Sequence, residues 1–238
     1  VLDGVDVTTA DVYIESETSD LTVSATVDVR DGTLTALVAG AITLDAAVTT
    51  DGVGATVSDV ALTATAGTVD VNAALASNTG SITVDAGLEI VIDAVTTAMI
   101  DVEFDSVAAT TVNAALEATT GQIDVDAGGA LTVNATTDAE TRVLLASDAS
   151  AIFNAAVTAA TLDFDLTADD VTVNTAVTAG TTLRAVATTG DMLINGALTA
   201  TGASLTLDVA GDLYTTVAGT ISAGTDVDTD AGGSATSD

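Results

Sequence analysis

The sequence predicts an all-β protein that folds as a right-handed parallel β-solenoid, with about 20–21 residues per coil and roughly 11–12 coils. Composition is the first observation behind this prediction. Hydrophobic residues make up 48% of the 238 residues. Val, Ile and Thr, the residue types that favour β-strands, are abundant in the chain. Helix-favouring residues are scarce, since the chain has six Glu and no Lys. A disordered acidic chain would be poor in apolar residues, so this chain is expected to fold.

A repeated motif is the second observation. A short alternating apolar segment that ends in Asn or Asp, here called the marker strand, recurs every 20 or 21 residues. Its copies span residues 69–72, 90–93, 110–113, 131–134, 151–154, 171–174, 192–195 and 213–216. A spacing held this closely indicates one structural unit per repeat, and a unit of this size matches one coil of a solenoid.

Alternation within the marker strand is the third observation. The first and third positions of the motif are each apolar in seven of the eight copies, so both are predicted to point into the core. When coils stack about 4.8 Å apart, these positions form continuous ridges inside the solenoid. The same spacing over the predicted number of coils gives a rod on the order of 55 Å long. The Asn residues of the motif then form one column, a structural ladder of side-chain amides. Its members are Asn72, Asn113, Asn134, Asn154, Asn174 and Asn195.

A second strand is predicted between successive marker strands, so each coil contains two or three strands. Its copies are residues 82–85, 102–105, 123–126, 162–165 and 205–208. Residues 1–51 keep the composition but lose the clean spacing, and they are predicted to form irregular coils or a cap. Residues 52–238 are predicted to form the regular solenoid. The two parts make one continuous domain, either as a whole protein or as a segment of a longer chain.

The segment 196–213, which reads GALTATGASLTLDVAGDL, resembles the repeats of filamentous-haemagglutinin-type adhesins and of related autotransporter passenger domains. The resemblance covers roughly residues 61–228. It implies a right-handed β-helix, secretion, and a location outside the cell or on its surface. The secretion domain of that family is not recognisable in this sequence, so the resemblance leaves the export route open.

The charge of the chain excludes several classes of partner. Asp and Glu number 35 against three Arg, which gives a formal net charge of −32. No cationic surface can form for nucleic acid phosphates, and anionic lipid is equally disfavoured. No run of about 18 apolar residues is present, so membrane insertion is not expected. The absence of His and Cys excludes the Ser–His and Cys–His nucleophiles and structural zinc.

Clustered carboxylates are the candidate site, and calcium is the cofactor that they would hold. The predicted cluster contains Glu103, Asp105, Asp124 and Asp126, because strand and coil spacing place these residues about 5–7 Å apart. A pair of carboxylates could also cleave a polysaccharide. However, similar acidic pairs recur elsewhere and only 2% of residues are aromatic. An acidic coat that keeps rods apart is the simpler interpretation.

Outward Thr residues raise a further alternative, an ice-binding face. Thr83, Thr111, Thr132 and Thr172 are predicted to lie in separate columns, which Val91, Ile152 and Leu193 interrupt. Thr as an ordinary strand surface residue is therefore favoured. The three interrupting residues, together with Tyr214, form either a contact stripe between rods or scattered surface apolar groups.

The function predicted from the sequence is an extracellular structural or adhesive rod: a cell-surface filament subunit, an adhesin shaft or a spacer. The predicted partners are other copies, end to end or side by side, or the continuation of a longer chain, with cell-surface or glycan contact also open. The alternatives are a calcium- or ice-binding module and a polysaccharide-active β-helix enzyme. The leading prediction is that the protein is not an enzyme.

Overall fold

A computed structural model describes residues 2–7, 10–52 and 56–237, which contain strands and turns and no helix. The strands of the first third are β1 Leu2–Val7, β2 Val12–Ser16, β3 Leu21–Arg30, β4 Leu34–Val38, β5 Ile42–Leu44, β6 Val48–Asp51, β7 Val60–Ala64, β8 Val69–Val71 and β9 Leu75–Ser77. The central strands are β10 Ile82–Ala86, β11 Ile90–Ile92, β12 Thr96–Ala98, β13 Val102–Ser106, β14 Thr110–Val112, β15 Leu116–Ala118, β16 Ile123–Ala127, β17 Leu131–Val133, β18 Thr137–Ala139, β19 Val143–Ser147, β20 Ser150–Phe153 and β21 Val157–Ala159. The last strands are β22 Phe164–Ala168, β23 Asp170–Val173, β24 Val177–Ala179, β25 Leu183–Ala187, β26 Met192–Ile194, β27 Ala197–Ala200, β28 Leu205–Val209, β29 Leu213–Thr215, β30 Thr220–Ala223, β31 Val227–Ala231 and β32 Ala235–Ser237.

Parallel pairing between successive coils builds the fold. Strand β13, for example, pairs in parallel with β10 before it and with β16 after it. The stack forms a parallel β-solenoid of about 11 turns, which confirms the predicted all-β solenoid and agrees with the predicted number of coils. Because each coil places its strands beside those of the next, no coil has to bury its apolar face alone.

Each coil has three strands, and like strands stack into three faces. The long-strand face contains β2, β4, β7, β10, β13, β16, β19, β22, β25, β28 and β31. The marker face contains β5, β8, β11, β14, β17, β20, β23, β26, β29 and β32, and the third face contains β6, β9, β12, β15, β18, β21, β24, β27 and β30. Strand β3 serves two faces, because its first half pairs with β5 and its second half with β6.

The core is the inner side of all three faces. The predicted inward positions of the marker strand are buried except at Thr215, which is half-buried, and Val71, Ile92 and Phe153 have 0% exposure. Three Phe rings are fully buried in this interior, and those of Phe153 and Phe164 meet edge to face with centroids 6.4 Å apart. Alternation with a period of two makes this possible, because every second side chain of a strand reaches the same interior.

Two inward marker positions are polar, Thr110 and Thr215, and the first of them is satisfied within the core. Thr110 is fully buried, and its hydroxyl lies 2.8 Å from the hydroxyl of Ser106 on the adjoining strand. Ser106 Oγ also donates to the carbonyl oxygen of Ala108. The two hydroxyls therefore satisfy each other, which removes most of the cost of burying a polar group.

The strand predicted at residues 162–165 is wrong in its position. The observed strand, β22, begins at Phe164, which pairs with Val143 and Leu183. Leu162 lies in the preceding turn and is 47% exposed. Leu162 and Phe164 have the same parity in the alternating pattern, so periodicity could not decide which one begins the strand. Packing of the Phe164 ring against Phe153 decides it.

The N-terminal residues stack on the same solenoid. Strand β2 pairs with β4, and β4 pairs with β7, while β1 pairs along β3. Leu34 pairs with Val60, a separation of 26 residues, because the connection after β6 is longer than in later coils. The break in spacing between this part and the later coils therefore comes from one longer connection, across which β4 and β7 pair without a register shift.

Candidate functional site

The predicted acidic cluster lies on the outer surface of the long-strand face. Glu103 pairs with Asp124 on the next coil, and Asp105 pairs with Asp126. Asp85 precedes Asp105 in the same column. Leu144 and Ala146 follow Asp124 and Asp126 and end the cluster. The structure therefore brings all four predicted residues together and adds Asp85, which the sequence analysis did not include.

Crowding of like charges changes how these carboxyls titrate. Burial raises the pKa of Asp85, and the charge of Asp105 raises it further. Burial likewise raises the pKa of Asp126, with Asp105 and Asp148 adding to the effect. The pKa of Asp124 is raised by burial and then by the charges of neighbouring carboxylates, against which Arg142 acts in the opposite direction. The cluster is thus a site where negative charge is unfavourable and where a proton or a cation would be stabilising.

The geometry of the cluster does not form a closed metal site. In the described ranges, no three or more Asp, Glu, His or Cys side chains converge as ligands for one ion. The carboxylates form rows along the coil axis instead, because parallel pairing places them side by side on neighbouring strands. Such rows can attract cations from solution through their charge.

The Asn column forms a hydrogen-bonded ladder on the corner after the marker face. Its continuous part runs Asn195 to Asn174, Asn154, Asn134, Asn113 and Asp93, each amide donating to the oxygen of the preceding coil at 2.7–2.8 Å. Asn72 donates to Asp45 at 3.0 Å in a separate segment. Asp93 divides the two segments, because a carboxylate accepts from Asn113 but carries no N–H to donate towards Asn72.

Asp side chains at two corners of the coil, one before the marker face and one before the long-strand face, also hold the coils together, and the sequence analysis missed them. At seven described corners an Asp carboxylate accepts a backbone N–H of the next coil at 2.6–2.9 Å. At six of them the donor residue follows a Gly on which an added Cβ would overlap the carboxylate. The pairs are Asp20 and Gly40, Asp59 and Gly80, Asp101 and Gly121, Asp170 and Gly190, Asp191 and Gly211, and Asp212 and Gly233. The available signal was an Asp followed by a Gly after 20 or 21 residues.

Hydrogen bonds to these corner carboxylates favour their charged form. The backbone N–H of Ser234 and the hydroxyl of Tyr214 lower the pKa of Asp212. The hydroxyls of Thr181 and Thr182 lower the pKa of Asp163, which occupies an equivalent corner before the long-strand face. Part of the large acid content is therefore structural.

The three Arg residues act locally. Arg184 pairs with Asp165 on the neighbouring strand at 3.2 Å, and Arg30 pairs with Asp28 at 2.6 Å. Both Arg side chains are about half exposed, so these pairs contribute little stability. The buried Nε of Arg142 has no hydrogen-bond partner among the described residues, although its charge acts on Asp124 and Asp163.

The outer column of the marker face contrasts with the acidic long-strand face. In the described part of the chain it contains one acid, Asp70, whereas nearly half of the outward positions of the long-strand face carry carboxylates. The column runs Thr22, Thr43, Asp70, Val91, Thr111, Thr132, Ile152, Thr172, Leu193, Tyr214 and Thr236. The expectation of separate Thr columns was wrong, because Thr111, Thr132 and Thr172 share this column with the apolar residues. Thr83 lies on the long-strand face.

These surfaces and the stack of coils define the protein's class, a parallel β-solenoid of about 11 turns. No family model, curated protein or solved structure matches the chain, so nothing in these comparisons supports a filamentous-haemagglutinin or autotransporter identity. Within the described ranges, no helix has the length and apolarity that crossing a membrane requires. Function therefore has to be inferred from geometry and charge.

Proposed function

We propose that the protein is an extracellular structural or adhesive rod, which acts as a filament subunit, an adhesin shaft or a spacer. The observation that carries this proposal is the uninterrupted parallel pairing of strands through about 11 turns. Such pairing gives a rod on the order of 55 Å long whose backbone hydrogen bonds run along its axis. A load applied along that axis is shared by three ladders at once.

The side-chain ladders support the same proposal. The Asn ladder and the Asp–Gly corners add bonds between coils, so they stiffen the rod without building a cleft. The acidic long-strand face keeps rods soluble and separate. The surface chemistry favours a structural role over catalysis, since the chain offers carboxylates and hydroxyls but no His or Cys.

Scattering and imaging of the purified protein test the shape. We expect discrete rods, or filaments built from them, with an axial repeat of about 4.8 Å. Compact globular particles would contradict the proposal. Surface labelling and protease shaving of intact source cells test the location, and full protection of the chain on intact cells would exclude an extracellular role.

Calcium binding is the second candidate, and the in-register acid pairs Glu103–Asp124 and Asp105–Asp126 favour it. Thermal unfolding is measured in calcium and in a sodium solution of equal ionic strength, with a chelator as reference. A calcium-specific rise in the unfolding midpoint that Asp126→Asn abolishes and Asp70→Asn leaves intact supports a site, because Asp70 pairs with the uncharged Thr43 and Val91. An equal rise of the unfolding midpoint in both salts shows screening alone.

Polysaccharide depolymerisation assays test the enzymatic alternative. Turnover that Asp105→Asn abolishes would replace the rod proposal.

A further inference from the structure

Charge is distributed unevenly around the rod, and this limits how two copies can meet. With a formal charge of −32 on each chain, two copies that approach through their long-strand faces would oppose rows of carboxylates. Among the described residues, the marker face has fewer carboxylates in its outer column than either of the other two faces. Its outer column is neutral apart from Asp70 in the described residues, and it carries Ile152, Leu193 and Tyr214.

The two edges of the marker face differ in chemistry. One edge carries the Asn ladder, in which each described ladder bond uses one of the two N–H groups of an amide. The opposite edge carries carboxylates in some coils, among them Asp170, the first residue of β23, and Asp191, which precedes β26. Asn174 and Asn195 follow the same two strands. In these two coils a donor edge and an acceptor edge therefore flank the neutral column.

We propose that two copies of the chain associate side by side through their marker faces, in parallel, with a twofold axis along the rod. This arrangement places the Asn edge of one copy against the carboxylate edge of the other, so that Asn174 faces Asp170 of the second copy and Asn195 faces Asp191. An antiparallel pair would instead oppose carboxylate edge to carboxylate edge. The inference rests on the proposed function, since it describes how such rods pair.

Size and spacing support a second copy as the occupant. The face is about five residues wide and 11 coils long, which corresponds to roughly 800 Å², the area that each partner contributes to a standard interface. Both copies have the same coil spacing, so side chains of the two columns stay in step along the whole contact. Like residues then meet across the axis, with Leu193 against Leu193 and Ile152 against Ile152.

Disulfide mapping tests the arrangement, because the chain has no Cys and each variant carries a single thiol. The variants are Thr43→Cys near one end of the column, Thr132→Cys at its middle, and Thr83→Cys on the long-strand face as control. A parallel pair brings every column position next to its own copy, so Thr43→Cys and Thr132→Cys both form crosslinked dimers under mild oxidation, and Thr83→Cys does not. Crosslinking of Thr132→Cys alone indicates an antiparallel pair and overturns the proposal.

Sedimentation measures the strength of association for matched variants. Leu193→Asp introduces an apposed pair of charges and is expected to weaken dimerisation by about tenfold or more. Leu144→Asp on the long-strand face is its control, with no effect expected. Asp70→Asn is expected to strengthen association, because it removes the carboxylate that faces its own copy, whereas Asp85→Asn is not. Dimerisation should also strengthen as salt screens the net charge.

A wild-type chain that stays monomeric at low and high salt overturns this inference, as does equal weakening by Leu193→Asp and Leu144→Asp. Scattering of the same samples keeps the two proposals distinguishable. Monomers with rod-like dimensions would leave the rod function standing without the pairing, whereas loss of the rod shape itself would remove both. Circular dichroism and the unfolding midpoint confirm that each variant keeps its fold.

Discussion

The carboxylate of Asp170 occupies the space that a side chain at Gly190 would fill, one coil further along the stack. From this position its Oδ1 accepts the backbone N–H of Asp191 at 2.9 Å. The corner thus needs two residues that are 20 positions apart: an acid that reaches across to the next coil, and a residue there without a Cβ. Five other described corners repeat the pairing, which makes it a regular part of how the coils are joined.

Gly190→Ala is expected to destabilise the protein by about 1–3 kcal/mol, because the added Cβ displaces the Asp170 carboxylate and leaves the N–H of Asp191 without its acceptor. Asp170→Ala removes the same hydrogen bond. The double variant should therefore be much less destabilised than the two single changes added together. Urea unfolding of all four proteins measures this coupling, and strict additivity would show that the carboxylate and the Gly act independently.

Asn154 is a central member of the ladder, where it donates to Asn134 and accepts from Asn174. Asn154→Ala removes both bonds and is expected to cost about 1–2 kcal/mol of unfolding free energy. Asn72→Ala, which removes one bond to Asp45, is the comparison and should cost about half as much. Chemical unfolding measures both, and equal losses would mean that the ladder bonds contribute nothing beyond the corner conformation.

Asp93 interrupts the ladder, and the substitution Asp93→Asn is expected to repair it. The amide introduced at this position can still accept from Asn113 and can in addition donate to Asn72, which joins the two segments. The change also removes one negative charge from a chain of −32. Asp93→Asn should therefore raise the unfolding midpoint. Asp138→Asn on the third face removes a charge without joining a ladder, so any excess of the first over the second reports the new hydrogen bond.

Mild acidification is expected to stabilise the protein. The folded-state pKa values of Asp85 and Asp126 are raised, so the folded state binds protons more tightly and gains stability as the pH falls from neutral towards these values. The pKa values of Asp163 and Asp212 are lowered. Their contribution is present above the ordinary Asp pKa near 4 and is lost as the pH falls through their lowered values.

Thermal unfolding from neutral to acidic pH should therefore show a maximum on the acidic side of neutrality. Asp105→Asn tests the cause, because the Asp105 charge helps to raise the pKa of both Asp85 and Asp126. The variant should be more stable than wild type at neutral pH, and its stability should increase less on acidification. An unchanged pH profile in Asp105→Asn would show that the acidic column is not responsible.

The sequence predicted the fold in considerable detail. Spacing of the marker strands indicated the coil, and alternation identified the buried positions of β8, β11 and their successors. It also placed six Asn residues in one column and four acids in one cluster. Repetition made this possible, because each coil repeats the same pattern of inward, outward and turn residues. A departure from the pattern in one coil is recognised by comparison with the others.

Four features were missed or left open by the sequence analysis, each for a physical reason. The sequence left the third strand of each coil open, because inward positions of these strands hold polar residues such as Ser77, Thr96 and Thr137, so apolar alternation does not stand out. The start of β22 depends on where the Phe164 ring packs, and the Asp–Gly corners depend on contacts between residues a full coil apart. The neutral column of the marker face emerged only when the register of the stacked strands was known.

The sequence by itself determined the strands, their period and the inward residues, because these follow from local alternation and from the preference of Asn, Asp and Gly for turns. The tertiary structure decided which side chains meet between coils: the direction of the Asn ladder, the carboxylates that accept backbone N–H groups, and the division of the surface into an acidic and a neutral face. Those contacts depend on register, and register is set by packing of the core along the whole stack.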